Sequence, residues 1–378
     1  MLYRLSNDTD IKNAIKKLGS HQDGLKIMTN KATKHFFYIK NIKTPAANIL
    51  KQDALAIGAE LAVPKGVVVY EKEFVDAILI CNQTQLKILA KKEQLQPFGL
   101  KQIANELKKY LKITSFKPRV MGILNINEDS FYEKSRVDDS SFVAKAKKMI
   151  EDGAGIIDIG GVSSRPGSEA VSQEEELKRV KNAIDLVYTH KLYEQCEFSI
   201  DSYAPKVIDY ALSHGFGIIN DITGLQSDEV CELAFKYNAE VCIMHMKGAP
   251  KDMQINPHYD DIMIDVDNFF KERIEKAHSF GIKKIILDSG IGFGKNLEHN
   301  LTLIKNQSNF LKYNYPLLVG ASRKSMIDKI SPSDTRDRLA GSLAIHLKAI
   351  DEGVSIIRTH DVFEHVQAIK VHQAIKNI

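Results

Sequence analysis

The chain has 378 residues, 44% of them hydrophobic and 26% charged, with a formal net charge of +4 at pH 7. That length suits one large domain plus a smaller one, and the composition is that of an ordinary globular protein. It has no apolar run of about 18 residues, which argues against a membrane span, and its N-terminal stretch MLYRLSNDTDIKNAIKK lacks the apolar core of a secretory signal. Residues 1–115 carry 19 Lys+Arg against 10 Asp+Glu, and the remainder 33 against 38. This shift predicts two domains, 1–115 and 116–378. The lysines of the first are scattered and no nucleic-acid-reading motif accompanies them, so they are read as a solvated surface and nucleic acid is not expected as a partner. Cys81, Cys196, Cys231 and Cys242 are widely spaced and form no CxxC or Cys/His cluster. They read as core thiols in a reducing, cytoplasmic compartment, with no zinc site and no disulfide framework.

In chain order, KHFFYIKNIK and GVVVYEKEFVDAILICN predict strands, and AANILKQDALAIGAEL and GLKQIANELKKYLK predict helices. Together they describe a small α/β domain. It carries no phosphate-binding fingerprint, so no kinase activity is assigned, and a docking, dimerisation or stabilising role is the default expectation. SFKPRV is the expected junction, with Pro118 breaking the preceding helix.

From Arg119 onward one pattern repeats. Eight short apolar runs, VMGILNI, GIIDIGG, EFSIDS, GIIND, EVCIMHM, KIILDSG, PLLVGAS and SIIRTHD, alternate with amphipathic stretches such as SFVAKAKKMIEDG. The runs are rich in Ile and Val without strict alternation, as strands buried on both faces of a parallel sheet are. In SFVAKAKKMIEDG the apolar residues fall near a 3.6-residue spacing and Gly153 serves as a C-cap. Eight such units in roughly 260 residues predict a (β/α)8 TIM barrel. A doubly wound sheet is the runner-up, but no glycine-rich loop follows Ile126.

In a barrel the strand C-termini share one face, where the active site sits. Here they end in Asn125, Asp158, Asp201-Ser202, Asn220-Asp221, Met244-His245-Met246, Asp288, Ser322-Arg323-Lys324 and Arg358-Thr359-His360-Asp361. Asp201, Asn220 and Asp288 suit a flat, nitrogen-rich heterocycle, because a carboxylate meets an amino-pyrimidine edge with two parallel bonds. Lys324 suits a carbonyl oxygen or ring nitrogen. Arg165, Arg358 and His360 suit phosphate oxygens. Asn125 offers an oxygen to a Mg²⁺ that bridges a pyrophosphate. Blander readings stand beside these. Asp221 and Asp361 suit helix caps or structural partners, and His245 a satisfied core imidazole.

The motifs MGILNINEDSF, DIGGVSSRPGSE, SIDS, IIND, CIMHMKGAPKDMQ, LDSGIGFGKNLEHN, LLVGASRKSMI, RLAGSLA and IIRTHD occur in this order. On them the barrel resembles the dihydropteroate synthases, over about two-thirds of the chain. The resemblance implies condensation of 6-hydroxymethyl-7,8-dihydropterin pyrophosphate with p-aminobenzoate to 7,8-dihydropteroate and pyrophosphate, with Mg²⁺, in folate biosynthesis. It implies that Asp201, Asn220, Asp288 and Lys324 hold the pterin, with Met244 and Phe293 shaping its slot. Asn125, Arg165, Arg358 and His360 would handle pyrophosphate and Mg²⁺. Ser164, Pro166, Lys324 and Ser325 would border the p-aminobenzoate pocket, with Phe131 closing over it. It also implies sulfonamide binding and a homodimer.

The chain departs from the family pattern in its loops. Asn127-Glu128 stand for Thr-Pro, Glu133 for Asp, Val162 for Glu, Ser164 for Thr, and Ser289 and Ile291 for Pro and Phe. None of these removes a charged group assigned above. Two other functions stay open on the sequence. A methyltransferase barrel for methyltetrahydrofolate and a corrinoid protein would keep the Asp/Asn contacts but needs no pyrophosphate clamp. A non-catalytic pterin-binding scaffold would bind without turnover.

Overall fold

The computed structural model describes residues 2–7, 9–126, 137–162, 171–249 and 251–376. The chain divides into two compact units, Met1–Ile113 with Gln373–Ile378, and Thr114–His372. No helix among the described residues is long and apolar enough to cross a membrane.

The first unit is built on a three-stranded antiparallel sheet of β1 (Lys34–Lys43), β2 (Glu60–Ala62) and β3 (Phe74–Asn82), in the order β1-β3-β2. Residues alternate along β3: Val75, Ala77, Leu79 and Cys81 are buried and their neighbours face out. The buried set packs with Leu50 of helix Thr44–Leu55, Leu86 and Leu89 of helix Gln83–Lys92, and Leu100 and Leu107 of helix Leu100–Lys109. Two sequence expectations change here. GVVVYEKEFVDAILICN is not one strand. Gly66 at φ 89° and Tyr70 at φ 60° fold Val67–Val69 into a 3-10 turn, and the strand starts only at Phe74. Three successive valines carry a strand propensity that this local turn overrides. AANILKQDALAIGAEL is not one helix either. The helix ends at Leu55, Gly58 takes φ 73°, and Glu60–Ala62 becomes β2.

The second unit is a closed parallel barrel of eight strands: β4 (Arg119–Asn125), β5 (Ile156–Gly160), β6 (Glu197–Asp201), β7 (Ile218–Asp221), β8 (Glu240–Met244), β9 (Ile285–Asp288), β10 (Leu317–Val319) and β11 (Ile356–Thr359). Helices alternate with the strands, as the (β/α)8 reading requires. Side chains alternate across each strand. One set, including Ile157, Ile159, Ile200, Ile219, Val241 and Ile243, packs outward on the helices. The other set meets inside the barrel, where Met121, Ile156, Ile218, Cys242, Ile286, Leu318 and Ile356 form an apolar plug. The strand register sets Met121 beside Ile156, Cys242 beside Ile286 and Leu318 beside Ile356. The plug is therefore one layer of a filled barrel, and it decides which residues come next above it.

Candidate active site

Two residues beyond the plug, the chain places Ile123, Asp158, Asn220, Met244, Asp288, Gly320 and Arg358, and on β6, where buried Ser199 precedes it, Asp201 in register with Asn220. One step of strand period turns an apolar layer into a polar floor. Five of the predicted site residues, Asp201, Asn220, Met244, Asp288 and Arg358, lie in this single layer.

Arg358 is its hub. Its Nε donates to Asp158 Oδ2 at 2.7 Å and its Nη2 to Asp201 Oδ2 at 2.7 Å. Asn220 Nδ2 donates to the same Asp158 oxygen at 3.1 Å. Asp158 Oδ1 is buried and has no partner among the described residues. Sequence reasoning missed the weight of Asp158. β5 does not end there but runs on to Gly160, so Asp158 is a carboxylate inside a strand of isoleucines. That placement was the signal, because a fully buried charge needs a partner.

Burial pushes the Asp201 carboxyl up to about 7, against the pull of Arg358. Burial opposes the charge on Arg358, yet Asp158 and Asp201 outweigh it and its pKa rises. The two rise for different reasons: on Asp201 burial outweighs the pull of the guanidinium, and on Arg358 the two carboxylates outweigh burial. Burial likewise raises Asp288, whose Oδ1 accepts from Gly290 N at 2.8 Å and which feels Lys324, Lys295 and Arg358.

Lys324 follows β10. Its Nζ donates to the Ile291 carbonyl and lies 4.5 Å from the centre of the Phe293 ring. Burial lowers it to about 8, partly offset by Asp288. Phe293, predicted to shape the slot, thus touches Lys324, predicted to bond the ring within it. A buried lysine, unnoticed in the sequence, supports this wall behind the half-buried Lys324. Lys295 Nζ donates to His245 Nδ1 at 2.9 Å, to the His245 carbonyl at 3.2 Å and to the Phe293 carbonyl at 2.9 Å. Three acceptors match the three hydrogens of an ammonium, although burial lowers its pKa to about 7. His245 is buried and held well below its ordinary pKa by burial and then by Lys295. It fits the reading of a satisfied core imidazole, with Lys295 as its partner. Of the departures from the family pattern, Ser289 is absorbed by accepting from Gln307 Nε2 at 2.7 Å, and Ile291 is buried in the core.

The remaining predicted residues are spread around the rim. His360 lies just beyond β11, exposed, with Nδ1 3.0 Å from Ser322 Oγ. Asn125 ends β4 with its side chain exposed, and Ser325 opens helix Ser325–Ile330, also exposed. Phe131, Ser164, Arg165 and Pro166 lie outside the described residues, as do Asn127-Glu128 and Glu133. The bland reading fits two aspartates. Asp221 is fully buried and accepts from Thr223 N and Leu225 N, which shapes its own loop. Asp361 takes a two-point ion pair from Arg323, at 2.9 and 2.5 Å. No group of three or more His, Cys, Asp or Glu among the described residues is placed to hold a metal ion. A cavity of about 590 Å³ along the outer helix Leu297–Lys305 is lined by none of these strand-end side chains.

A parallel barrel whose floor presents carboxylates and a carboxamide, with cations beside them, is the architecture of an enzyme for a flat heterocycle and an anion. Residues 121–360 match the family described as pterin binding enzyme, and the chain belongs to that family. Within it, the chain is a member of the dihydropteroate synthases. The bifunctional dihydropteroate synthase/dihydropteroate reductase of Helicobacter pylori is 41% identical over 377 residues, covering 100% of this chain and 99% of that protein. The dihydropteroate synthase of Escherichia coli is 43% identical over 263 residues, 68% of this chain and 91% of that protein. The crystal structure of the Yersinia pestis dihydropteroate synthase with a sulfonamide drug superimposes with a TM-score of 0.64 at 40% identity, covering 69% of this chain and 95% of that one.

Proposed function

We propose that the barrel unit condenses 6-hydroxymethyl-7,8-dihydropterin pyrophosphate with p-aminobenzoate, releasing pyrophosphate. The observation that carries this is the polar layer directly above the plug, where Asp201, Asn220, Asp288 and Arg358 converge. Asp288 and Asp201 accept from the amino-pyrimidine edge, Asn220 serves either polarity, and Lys324 donates to the ring. Phe293 and Met244 wall the slot. Loss of pyrophosphate from the CH₂ carbon leaves a cation that the electron-rich pterin delocalises, and the arylamine of p-aminobenzoate captures it. Cations near the leaving group lower that barrier by stabilising the charge that develops. Arg358 keeps donor capacity for this, since its Nη1 is outside the two ion pairs. His360 and Arg165 complete the anion end. Ser164, Pro166 and Ser325 border the p-aminobenzoate, and Phe131 covers it and keeps water from the cation. The same pocket takes sulfonamides, which mimic p-aminobenzoate.

Mg²⁺ fits this site in a limited way. Asn125 offers one exposed carboxamide oxygen and the described residues add no cluster of charged ligands, so the ion would be held mostly by pyrophosphate oxygens and water. Bound there, it would supply charge neutralisation of the leaving group. Four buried, unbridged thiols support a reducing, cytoplasmic setting.

The test is pyrophosphate release with Mg²⁺, with and without p-aminobenzoate, on wild type, Arg358→Ala and Arg358→Lys. Dihydropteroate formation that collapses in the Ala variant supports the reading. The Lys variant keeps a countercharge for Asp158 and Asp201, so it separates lost chemistry from lost folding. Pterin binding without any product would return the methyltransferase and scaffold alternatives.

A second activity has its own observation. The similarity to the H. pylori protein extends over the whole chain, while the E. coli synthase matches only 68% of it. The first unit is thus shared with a protein named as a reductase as well as a synthase. We infer that it serves dihydropteroate reduction, in which a hydride and a proton add across the remaining C=N bond of the dihydropterin ring. Tetrahydropteroate formation from supplied dihydropteroate, with reduced nicotinamide or reduced flavin nucleotides as the hydride source, tests this. No reduction with either donor would leave the first unit a docking or stabilising role.

A further inference from the structure

Below the rim, between the ends of β10 and β11, lies a set of buried polar side chains that the reaction as described does not use. Ser322, Thr359, His346 and His365 are all buried. His346 Nε2 takes the backbone N–H of Ala321 at 3.0 Å, and its Nδ1 is 2.8 Å from His365 Nε2. His365 Nδ1 is 2.6 Å from the Asp361 carbonyl and 3.2 Å from Thr359 Oγ1. Thr359 Oγ1 accepts from Asp361 N at 3.1 Å and lies 3.3 Å from Ser322 Oγ. Ser322 Oγ accepts from His360 N at 3.3 Å and lies 3.0 Å from His360 Nδ1.

The direction of every bond follows from its ends. A backbone N–H only donates, so His346 Nε2 is an acceptor and the hydrogen of this neutral ring sits on Nδ1. That hydrogen goes to His365 Nε2, which puts the second ring's hydrogen on Nδ1, facing the Asp361 carbonyl. Thr359 Oγ1 receives the Asp361 N–H and faces the His365 Nδ1–H, so its own hydrogen goes to Ser322. Ser322 Oγ receives that hydrogen and the His360 N–H, so its own goes to His360 Nδ1. The reverse order would set an unprotonated His365 Nδ1 against a carbonyl oxygen at 2.6 Å, two acceptors with no hydrogen between them.

We infer that Ser322 is a positioning residue for His360, and that the one-way chain behind it keeps His360 in the tautomer with hydrogen on Nε2. His360 then meets an anion as a hydrogen-bond donor. Resting on the synthase reading, this assigns Ser322, Thr359, His365 and His346 a task at the pyrophosphate end. An imidazole free to change tautomer would offer an acceptor lone pair to the leaving group part of the time, which repels it.

The experiment uses the full chain with ¹⁵N-labelled histidines and a long-range proton–nitrogen correlation, with His360 identified by its loss in His360→Gln. In wild type, His360 Nδ1 should resonate as the unprotonated nitrogen and Nε2 as the protonated one. Ser322→Ala should mix the two tautomers and raise KM for the pterin pyrophosphate roughly two- to tenfold, the worth of one hydrogen bond. KM for p-aminobenzoate should stay unchanged, and Ser322→Thr should restore both readouts. If Ser322→Ala does not fold, Thr359→Val removes the same link one step back and should give the same mixing. A protonated Nδ1 in wild type overturns the inference. So do Ser322→Ala spectra and KM values identical to wild type. The tautomer is read without turnover, so a failure to make dihydropteroate would defeat the synthase reading and leave this measurement decisive.

Discussion

At the residue scale the site is a problem of keeping charges in a buried floor. Asp288 is 5% exposed, and burial raises its carboxyl while the Gly290 N–H, Lys324, Lys295 and Arg358 pull the other way. Asp288→Asn should weaken pterin pyrophosphate binding by about 1.5–3 kcal/mol, the worth of a hydrogen bond to a charged group. Isothermal titration with the unreacted pterin checks this, and an unchanged Kd would remove Asp288 from the pterin slot. The pH profile should follow from two neighbours. Asp201 titrates near 7 and Lys324 near 8. Below about 7 the Asp201 carboxyl takes a proton and loses an acceptor, and above about 8 Lys324 loses its charge. kcat/KM for the pterin substrate should therefore be a bell with limbs near those values. Asp201→Asn should erase the acid limb, and an acid limb that persists in that variant would assign it elsewhere.

Among the elements, the turn after β9 does more than join a strand to a helix. Gly290 has φ 65°, and a Cβ there would collide with the His245 carbonyl oxygen and approach Lys295 Nζ. Gly290→Ala should cost roughly 1–3 kcal/mol in backbone strain alone and loosen the Lys295 contacts behind Phe293. Chemical denaturation and pterin affinity should fall together, and a loss of stability alone would mean that the turn does not support the slot. The ends of β10 and β11 carry a pH signature. Burial, and then His365, hold His346 well below 6.5, and burial lowers His365. The folded chain resists protons that the unfolded chain takes up below about 6.5. This stabilisation is therefore present above that pH and is lost as the pH falls below it. Denaturation midpoints from pH 8 to 5 should drop in wild type and drop less in His365→Gln. The element pattern itself was readable for the barrel, because eight Ile/Val-rich runs at a regular period have one economical arrangement. It was less readable in the first unit, where β2 is three residues long and Val67–Val69 turn instead of extending.

For the whole molecule, the two activities should separate if they reside in different units. Lys324→Met should abolish dihydropteroate synthesis while leaving reduction of supplied dihydropteroate intact. Loss of both would place the reductase site at the barrel. The resemblance to the synthases also implies a homodimer, and light scattering on the full chain should report a particle of two chains. The sequence by itself determined the barrel and the chemical type of most strand ends, because strand period and motif order are local properties of the chain; it ended β5 too early, at Asp158 instead of Gly160. Asp201, Asn220, Asp288, Lys324 and Arg358 were all named from it. Tertiary structure alone decided which of these residues touch. Arg358 and Asp158 are 200 positions apart, and Ser322 and His360 are 38 apart. No local pattern relates such pairs. Only closing the barrel brings β11 beside β4, puts Asp158 under the guanidinium, and turns separate polar strand ends into one shared floor.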